Sequence, residues 1–294
     1  MKLKLSLLIV LFLVILGMSC YSDRASAFFD WKAGKLLVDI RKKMPLEKYP
    51  FPRAKSVTAG FTADMAPEIF LQAIMRLRID SYYTLEEAAE NDESLLGPIL
   101  KVSKDGRRIW EKVSDDFTTY NARYVFDFYG NSGIINIFDL QRNPFPIERY
   151  LGFVPTRKFS GFVIYAKGFL RAHGKRKKER VNPAMFFKLL DEDMNVILER
   201  EMCYPDYLKK WGMAAYTDNE KEAGLLKRVG AFPLNIMARG VFGKYATDII
   251  ISRQSARQIL ALKENIETLK KCRIVIVIDS DKLDEVIPVT LSQP

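Results

Sequence analysis

A period of two in apolar and polar positions marks residues 119–129 as a strand, and 160–166, 184–190, 195–199, 234–240 and 246–252 also read as strands. The β-branched run at 273–279 reads as a strand buried on both faces. Gly130-Asn131-Ser132-Gly133 separates 119–129 from a second β-rich run at 134–140, which predicts a hairpin. Asp191-Glu192-Asp193 predicts another between 184–190 and 195–199. Helical spacing predicts three main helices. The first covers 28–44, with Phe29, Ala33, Leu36, Leu37 and Ile40 on one side and basic residues between them. The second covers 64–90, with Asp64 as N-cap and Pro67 in the first turn; the third covers 255–270, capped by Ser252 or Ser255. Residues 207–211 suit a short helical turn, and Pro45, Pro50 and Pro52 predict an extended connector.

Strands grouped together, with helices between the groups and no regular βαβ repeat, predict an α+β fold: mixed or antiparallel sheets with packed helices, after an N-terminal signal peptide. The expected organisation is a signal peptide at 1–27, an amphipathic helix and Pro-rich connector at 28–60, a helix plus β-hairpin part at 61–146, and an α+β part at 147–294.

The signal peptide rests on Lys2 and Lys4 followed by the apolar stretch 5–16, too short for a membrane span. Two exits compete. Ala25-Ser26-Ala27 is a small-x-small pattern that signal peptidase accepts, with the cut after Ala27. Cys20, preceded by Leu16-Gly17-Met18-Ser19, resembles a relaxed lipoprotein box and is a candidate lipidation site. Cleavage after Ala27 is the preferred expectation. It would leave Cys203 and Cys272 as the remaining cysteines, either a disulfide closing a loop of about 70 residues or two separate buried thiols.

Composition narrows the chemistry. The chain of 294 residues carries 46 Lys and Arg against 36 Asp and Glu, a formal net charge of +10. Six of those cations, Arg171, Lys175, Arg176, Lys177, Lys178 and Arg180, fall in one ten-residue stretch with only Glu179 among them. That run is a candidate site for an anionic membrane surface, a phosphate-rich ligand or an acidic polysaccharide. No aromatic residue interrupts it, so single-stranded nucleic acid is not an expected partner. A single histidine, His173, excludes paired-His metal motifs, and no glycine-rich phosphate loop is present. Ser132 with His173 would be a candidate nucleophile–base pair, but the hairpin turn already explains residues 130–133, and Cys203 with His173 has nothing local to orient the base. A cleft gathering Asp248, Asp279 and Arg239 would favour an enzyme. Without one, no catalytic residue, metal or cofactor is expected.

Several stretches resemble, in order, those of the LPP20-like group of bacterial envelope lipoproteins and flagellar accessory proteins. Ser160-Gly161-Phe162-Val163-Ile164-Tyr165-Ala166-Lys167-Gly168 is similar to that group's TGLVIDARGL stretch, with Tyr165 and Lys167 in place of Asp and Arg. Leu189-Leu190-Asp191-Glu192-Asp193 resembles ILDEDG, and Thr247-Asp248-Ile249-Ile250-Ile251-Ser252 resembles TDVVIS. Leu269-Lys270-Lys271-Cys272-Arg273 resembles the start of LEKCRVVIV. The resemblance implies an exported, non-enzymatic α+β protein of the periplasm or cell envelope, a binding or assembly module with an envelope or flagellar protein as partner. The alternatives are a polyanion- or membrane-binding protein using residues 171–180, and an enzyme with an unrecognised site.

Overall fold

The computed structural model describes residues 23–219 and 221–291. The chain opens with a hairpin, β1 (Arg24–Asp30) and β2 (Lys35–Lys43). A long helix α1 (Phe51–Ile74) follows, then α2 (Leu85–Asn91) and α3 (Leu96–Val102). Next come β3 (Arg107–Val113), β4 (Thr119–Asp127) and a short 3-10 turn at Ile134–Ile137. After an irregular connector the second part runs β5 (Phe162–Tyr165), β6 (Leu170–Ala172), β7 (Lys178–Glu179), β8 (Leu189–Leu190), β9 (Val196–Leu198), α4 (Pro205–Trp211) and β10 (Ala215–Thr217). It continues with α5 (Ala223–Val229), β11 (Leu234–Phe242), β12 (Asp248–Ile251), α6 (Arg253–Leu260), α7 (Lys263–Lys270), β13 (Ile274–Val277) and β14 (Asp284–Ile287). The fold is α+β, with one antiparallel and one mixed sheet.

The first sheet has the order β14-β1-β2-β4-β3, and α1 covers its inner face. Where a helix over 28–44 was expected, the chain forms β1 and β2 instead. Ala27, Phe29, Leu36, Val38 and Ile40 alternate inward and are buried, and Gly34 turns the chain with φ +65, a conformation that glycine adopts without strain. The connector expected up to residue 60 is likewise helix. Pro52 sits in the first turn of α1, where a missing N–H costs nothing. The helix therefore starts thirteen residues before Asp64 and ends at Ile74 rather than near 90. The run at 134–140 forms the 3-10 turn and an extended tail, and β4 pairs with β2 and β3.

The second sheet has the path β10-β13-β5-β11-β12-β8-β9, with β6 and β7 attached at β11. Its β5, β11 and β13 pair in parallel where strands were expected, and all four residues of β13, the run expected to be buried on both faces, are buried. The helix expected over 255–270 is broken at Ala261 and Leu262 into α6 and α7, while Ser252 caps α6 as anticipated by accepting the Ser255 N–H.

Two devices join the parts. After β13 the chain turns through Ser280–Lys282 and returns to the first sheet, where β14 pairs antiparallel with β1. The carboxyl-terminal strand thus belongs to the sheet of the amino-terminal part, across the boundary expected near 146. Beside it an aromatic joint brings Trp31, Phe29 and Phe128 against Tyr216 of β10, with ring centroids 5.2 to 5.9 Å apart. Arg78 closes the joint by a bidentate ion pair to Glu285 of β14 and a 2.9 Å bond from Nε to the Pro183 carbonyl. The main hydrophobic core draws residues from both parts, Ala27 to Ile287, and a second small cluster gathers Val163, Val229, Val275 and Val277.

The preferred cut after Ala27 collides with this architecture. It would remove four of the seven residues of β1, including the fully buried Ala27 and the register pairs with Val38 and Ile287. It would also remove Asp23, whose carboxylate holds Lys42 at 2.7 Å and the Lys43 N–H at 2.9 Å. Cys20 lies outside the described residues. A chain beginning at Phe28 is expected to be less stable than one beginning at Asp23 by about 3 kcal/mol or more, measured by denaturant unfolding. Equal midpoints for the two chains would mean that the first half of β1 contributes nothing to the fold.

Candidate functional site

A cavity of about 670 Å³ lies at the junction of the two parts. Its walls come from the segment after α1, from α2 and α3, from the 3-10 turn and from Arg200. Two smaller cavities of about 230 and 150 Å³ also reach Arg200, so the three form a branched cleft around that side chain.

Local sequence builds each wall. The bridge between Arg78 and Thr84 folds residues 79–83 into a tight turn, and Asp80 Oδ1 fixes it by accepting the Tyr82 and Tyr83 N–H groups at 2.8 and 2.9 Å. Thr84 and Glu87 then form a capping box that starts α2. Glu87 also accepts from Lys244 and Tyr245 of the second part. The Lys244 ammonium, followed by the Thr84 N–H, holds the Glu87 carboxyl down at about 2. On the opposite wall, Asn136 donates to the carbonyls of Gly130, Asn131 and Gly133. The Gly130–Gly133 turn is thereby fixed as a structural support for the cleft. Arg200 sits over the Phe186 ring at 5.1 Å and donates to Glu201 at 2.8 Å. Lys188 pairs with Glu199 at 2.8 Å.

Those pairings leave the cleft acidic. Arg200 and Lys188 are each matched by a glutamate, while Asp80, Asp92 and Asp139 line the main cavity with no cation paired to them among the described residues. The apolar lining comes from Ile79, Tyr83, Leu95, Pro98, Ile137 and Phe138. A positively charged group on an aliphatic stem matches both features. Among the described residues no cluster of three or more His, Cys, Asp or Glu side chains is arranged to hold a metal ion.

Beneath Lys188 lies Asp248, fully buried. Its Oδ1 accepts the Lys188 N–H at 2.8 Å and its Oδ2 has no hydrogen-bond partner among the described residues. Burial is the main cause that pushes this carboxyl up to about 6, against the opposing Lys188 N–H. Asp279 instead accepts the Gly168 N–H at 3.0 Å, and Arg239 is exposed on β11. The junction cleft is lined by none of this trio.

The six cations of the basic run sit on the β6–β7 hairpin. Lys175 and Lys177 share Glu179 at 3.2 and 2.8 Å, and Arg180 pairs with Asp281 at 2.8 Å. Arg171, Arg176 and Lys178 are exposed with no acidic partner among the described residues. His173 packs edge-on to Phe242, with centroids 6.1 Å apart. Cys203 and Cys272 are brought together as buried free thiols. A hydrogen bond with Cys272, reinforced by burial, pushes the Cys203 thiol well up. Beside them the buried Arg228 guanidinium, lowered to about 10 by desolvation, donates to the carbonyls of Trp211, Gly212 and Cys272 at 2.6, 2.7 and 3.0 Å. It ties α4, α5 and β13 together.

The sequence expectations missed the cleft. The signal that would have found it is Thr-x-x-Glu at Thr84 and Glu87, a capping box that ends any single helix over 64–90 and leaves 75–83 as a turn.

Comparison with family models places residues 24–131 with the N-terminal domain of Treponema pallidum Tp0624 and residues 161–280 with the second domain of the same protein. The chain is similar to two consecutive domains of that protein, in the same order. The first match opens at Arg24, the residue that begins β1, and the second ends before β14. No curated protein matches the chain. Neither matched model carries an LPP20 or flagellar link.

Asp248 makes stability depend on pH. Between its ordinary value of 3.8 and about 6, the folded state keeps a proton that the unfolded state releases, so stability falls as pH rises through that window, by at most about 3 kcal/mol, and is flat above it. Asp248→Asn is therefore expected to raise the melting temperature relative to the parent at pH 7.5 and to lose that advantage by pH 4. An equal difference at both pH values would show that Asp248 is already satisfied in its ionised form.

Proposed function

We propose that this protein is a non-catalytic binding and assembly module of the cell envelope, and that its junction cleft receives a basic segment of a partner protein. The observation that carries the reading is the cleft's charge, set against a chain with a formal net charge of +10. Its unpaired carboxylates are Asp80, Asp92 and Asp139, and apolar walls flank them. A Lys or Arg side chain would lay its methylenes along Tyr83 and Leu95 and bring its head to those carboxylates. The envelope setting is supported by the export pattern of Lys2, Lys4 and the apolar stretch 5–16, and by the LPP20-like resemblance; a flagellar or motility association rests on the resemblance alone. Among the described residues no helix is long and apolar enough to cross a membrane.

Binding is favoured over chemistry because His173 lies on the β6–β7 hairpin, away from the cleft lining. A second reading, attachment to a polyanion or an anionic membrane surface through that hairpin, is supported by the unmatched Arg171, Arg176 and Lys178. With half of the hairpin's six cations held by Glu179 and Asp281, it is the weaker of the two.

A photo-crosslinking residue placed at the exposed, cleft-lining Asn91, with Lys263 as a distant control, tests the first reading in intact cells. Asn91 is expected to trap a discrete protein partner that Lys263 does not, and Asp139→Lys is expected to cut the yield about tenfold by repelling the basic segment. The same adducts from both positions, or a yield indifferent to Asp139→Lys, would overturn it.

A further inference from the structure

The irregular connector between the two parts carries the two most exposed large apolar side chains among the described residues, Leu151 at 87% and Phe153 at 94%. They flank Gly152 and form the tip of the segment. Neither lines the junction cleft, and neither belongs to the β6–β7 hairpin. Apolar groups left in water at one place on an otherwise well-buried fold mark a contact with something outside it.

The tip is pinned on both sides to the corner where α6 gives way to α7. The last carbonyls of α6 have no partner within the helix, and the connector supplies donors for them. Before the tip, the Tyr150 N–H bonds the Leu260 carbonyl at 3.0 Å and Arg149 Nε the Ala261 carbonyl at 3.2 Å. After it, the Thr156 hydroxyl donates to the Gln258 carbonyl at 2.9 Å. The fully buried Asn265 then accepts the Phe159 N–H at 2.9 Å and donates to the Arg157 carbonyl at 3.0 Å. Within the tip, Gly152 lies so close over the Tyr150 ring that a Cβ there would overlap its hydroxyl end. The Arg257 guanidinium sits 5.1 Å from the centroid of the same ring. Tyr150 thus fills the space beneath the tip, and Leu151 and Phe153 are left pointing into solvent on a fixed support.

Charge surrounds the tip on one sign. Residues 142–158 hold four cations, Arg142, Arg149, Arg157 and Lys158, against the single carboxylate of Glu148. All four cations are exposed and none is ion-paired among the described residues. An apolar tip in a basic collar matches a bilayer with anionic headgroups, where apolar side chains enter the acyl boundary and the cations stay with the phosphates. A protein partner fits less well. A convex tip of two side chains falls far short of the ~800 Å² per partner that a stable protein–protein interface buries. We infer that residues 149–158 dock this protein on an anionic phospholipid bilayer, with Leu151 and Phe153 inserted at the interface.

Photo-crosslinking of the whole chain on phosphatidylglycerol vesicles tests the inference, with the reactive residue placed at Phe153, at Asn91 in the cleft, or at Arg176 on the basic hairpin. The Phe153 position is expected to give several-fold more lipid adduct than either of the others. Phosphatidylcholine vesicles are expected to lower its yield several-fold, and so is the pair Arg157→Glu and Lys158→Glu. Leu151→Ser should lower it as well, with a melting temperature close to the parent's because the side chain lies at the surface. Lipid adducts no more frequent at Phe153 than at Asn91 would overturn the inference, as would a yield indifferent to lipid charge. Adducts concentrated at Arg176 would move the contact to the hairpin, and crosslinks from Phe153 to a second copy of the chain in place of lipid would assign the tip to self-association; either result overturns it.

Discussion

The pairing of β14 with β1 is the constraint on which the rest of the structure depends. Among the described strands β1 alone pairs with both β2 and the returning β14, with Ala27 paired to Val38 on one side and to Ile287 on the other. Backbone hydrogen bonds alone contribute modestly to such a closure. What makes it strong is the burial that accompanies it: Ile287 and Leu283 enter the shared core, worth roughly 1.5–3 kcal/mol for each fully buried side chain. Arg78 adds specificity, because its bidentate bond to Glu285 and its bond to Pro183 are both satisfied only when β14 and the second part are in place together.

The junction cleft follows from that closure. Its walls come from two parts of the chain, and Arg200 stands opposite Asp80 and Asp139 only because the aromatic joint and β14 fix the parts against each other. The segment after Arg78 serves both purposes: Met185 and Phe186 bond to the Arg78 and Ile79 carbonyls at 3.0 and 2.8 Å, and the next residue, Asp80, lines the cavity. A binding site at a junction of this kind is sensitive to anything that loosens the joint, which suits a module whose partner must recognise the assembled fold.

The second sheet was legible in the sequence and the first was not, for physical reasons. β12 and β13 are runs of β-branched residues buried along their whole length, and such runs have one natural reading. Residues 28–44 admit two. Phe29, Ala33, Leu36, Leu37 and Ile40 satisfy a helical period, whereas Leu36, Val38 and Ile40 satisfy a strand, and only Gly34 in the middle favoured the hairpin. The start of α1 was hidden by its composition. Its buried face in the first three turns is Ala54, Thr58 and Thr62, and both threonines return their hydroxyls to the helix backbone, at Ala54 and Ala59. With so little apolar signal, Pro50 and Pro52 read as a connector when they mark a helix start. The cleft was illegible because its acidic residues are isolated in sequence and meet only where the 79–98 segment packs against the 134–139 turn. The basic run was visible at once, yet three of its six cations are taken up by Glu179 and Asp281 in the fold.

Native-state hydrogen exchange tests the interlock most directly. If β14 fastens the two parts into one cooperative unit, the hydrogen-bonded amides of β1 and β14 will exchange through the same global opening as those of Ile164 in β5 and Ile276 in β13, with the same free energy and the same denaturant dependence. Exchange of β1 and β14 through a separate opening of markedly lower free energy, while β5 and β13 stay protected, would contradict the account.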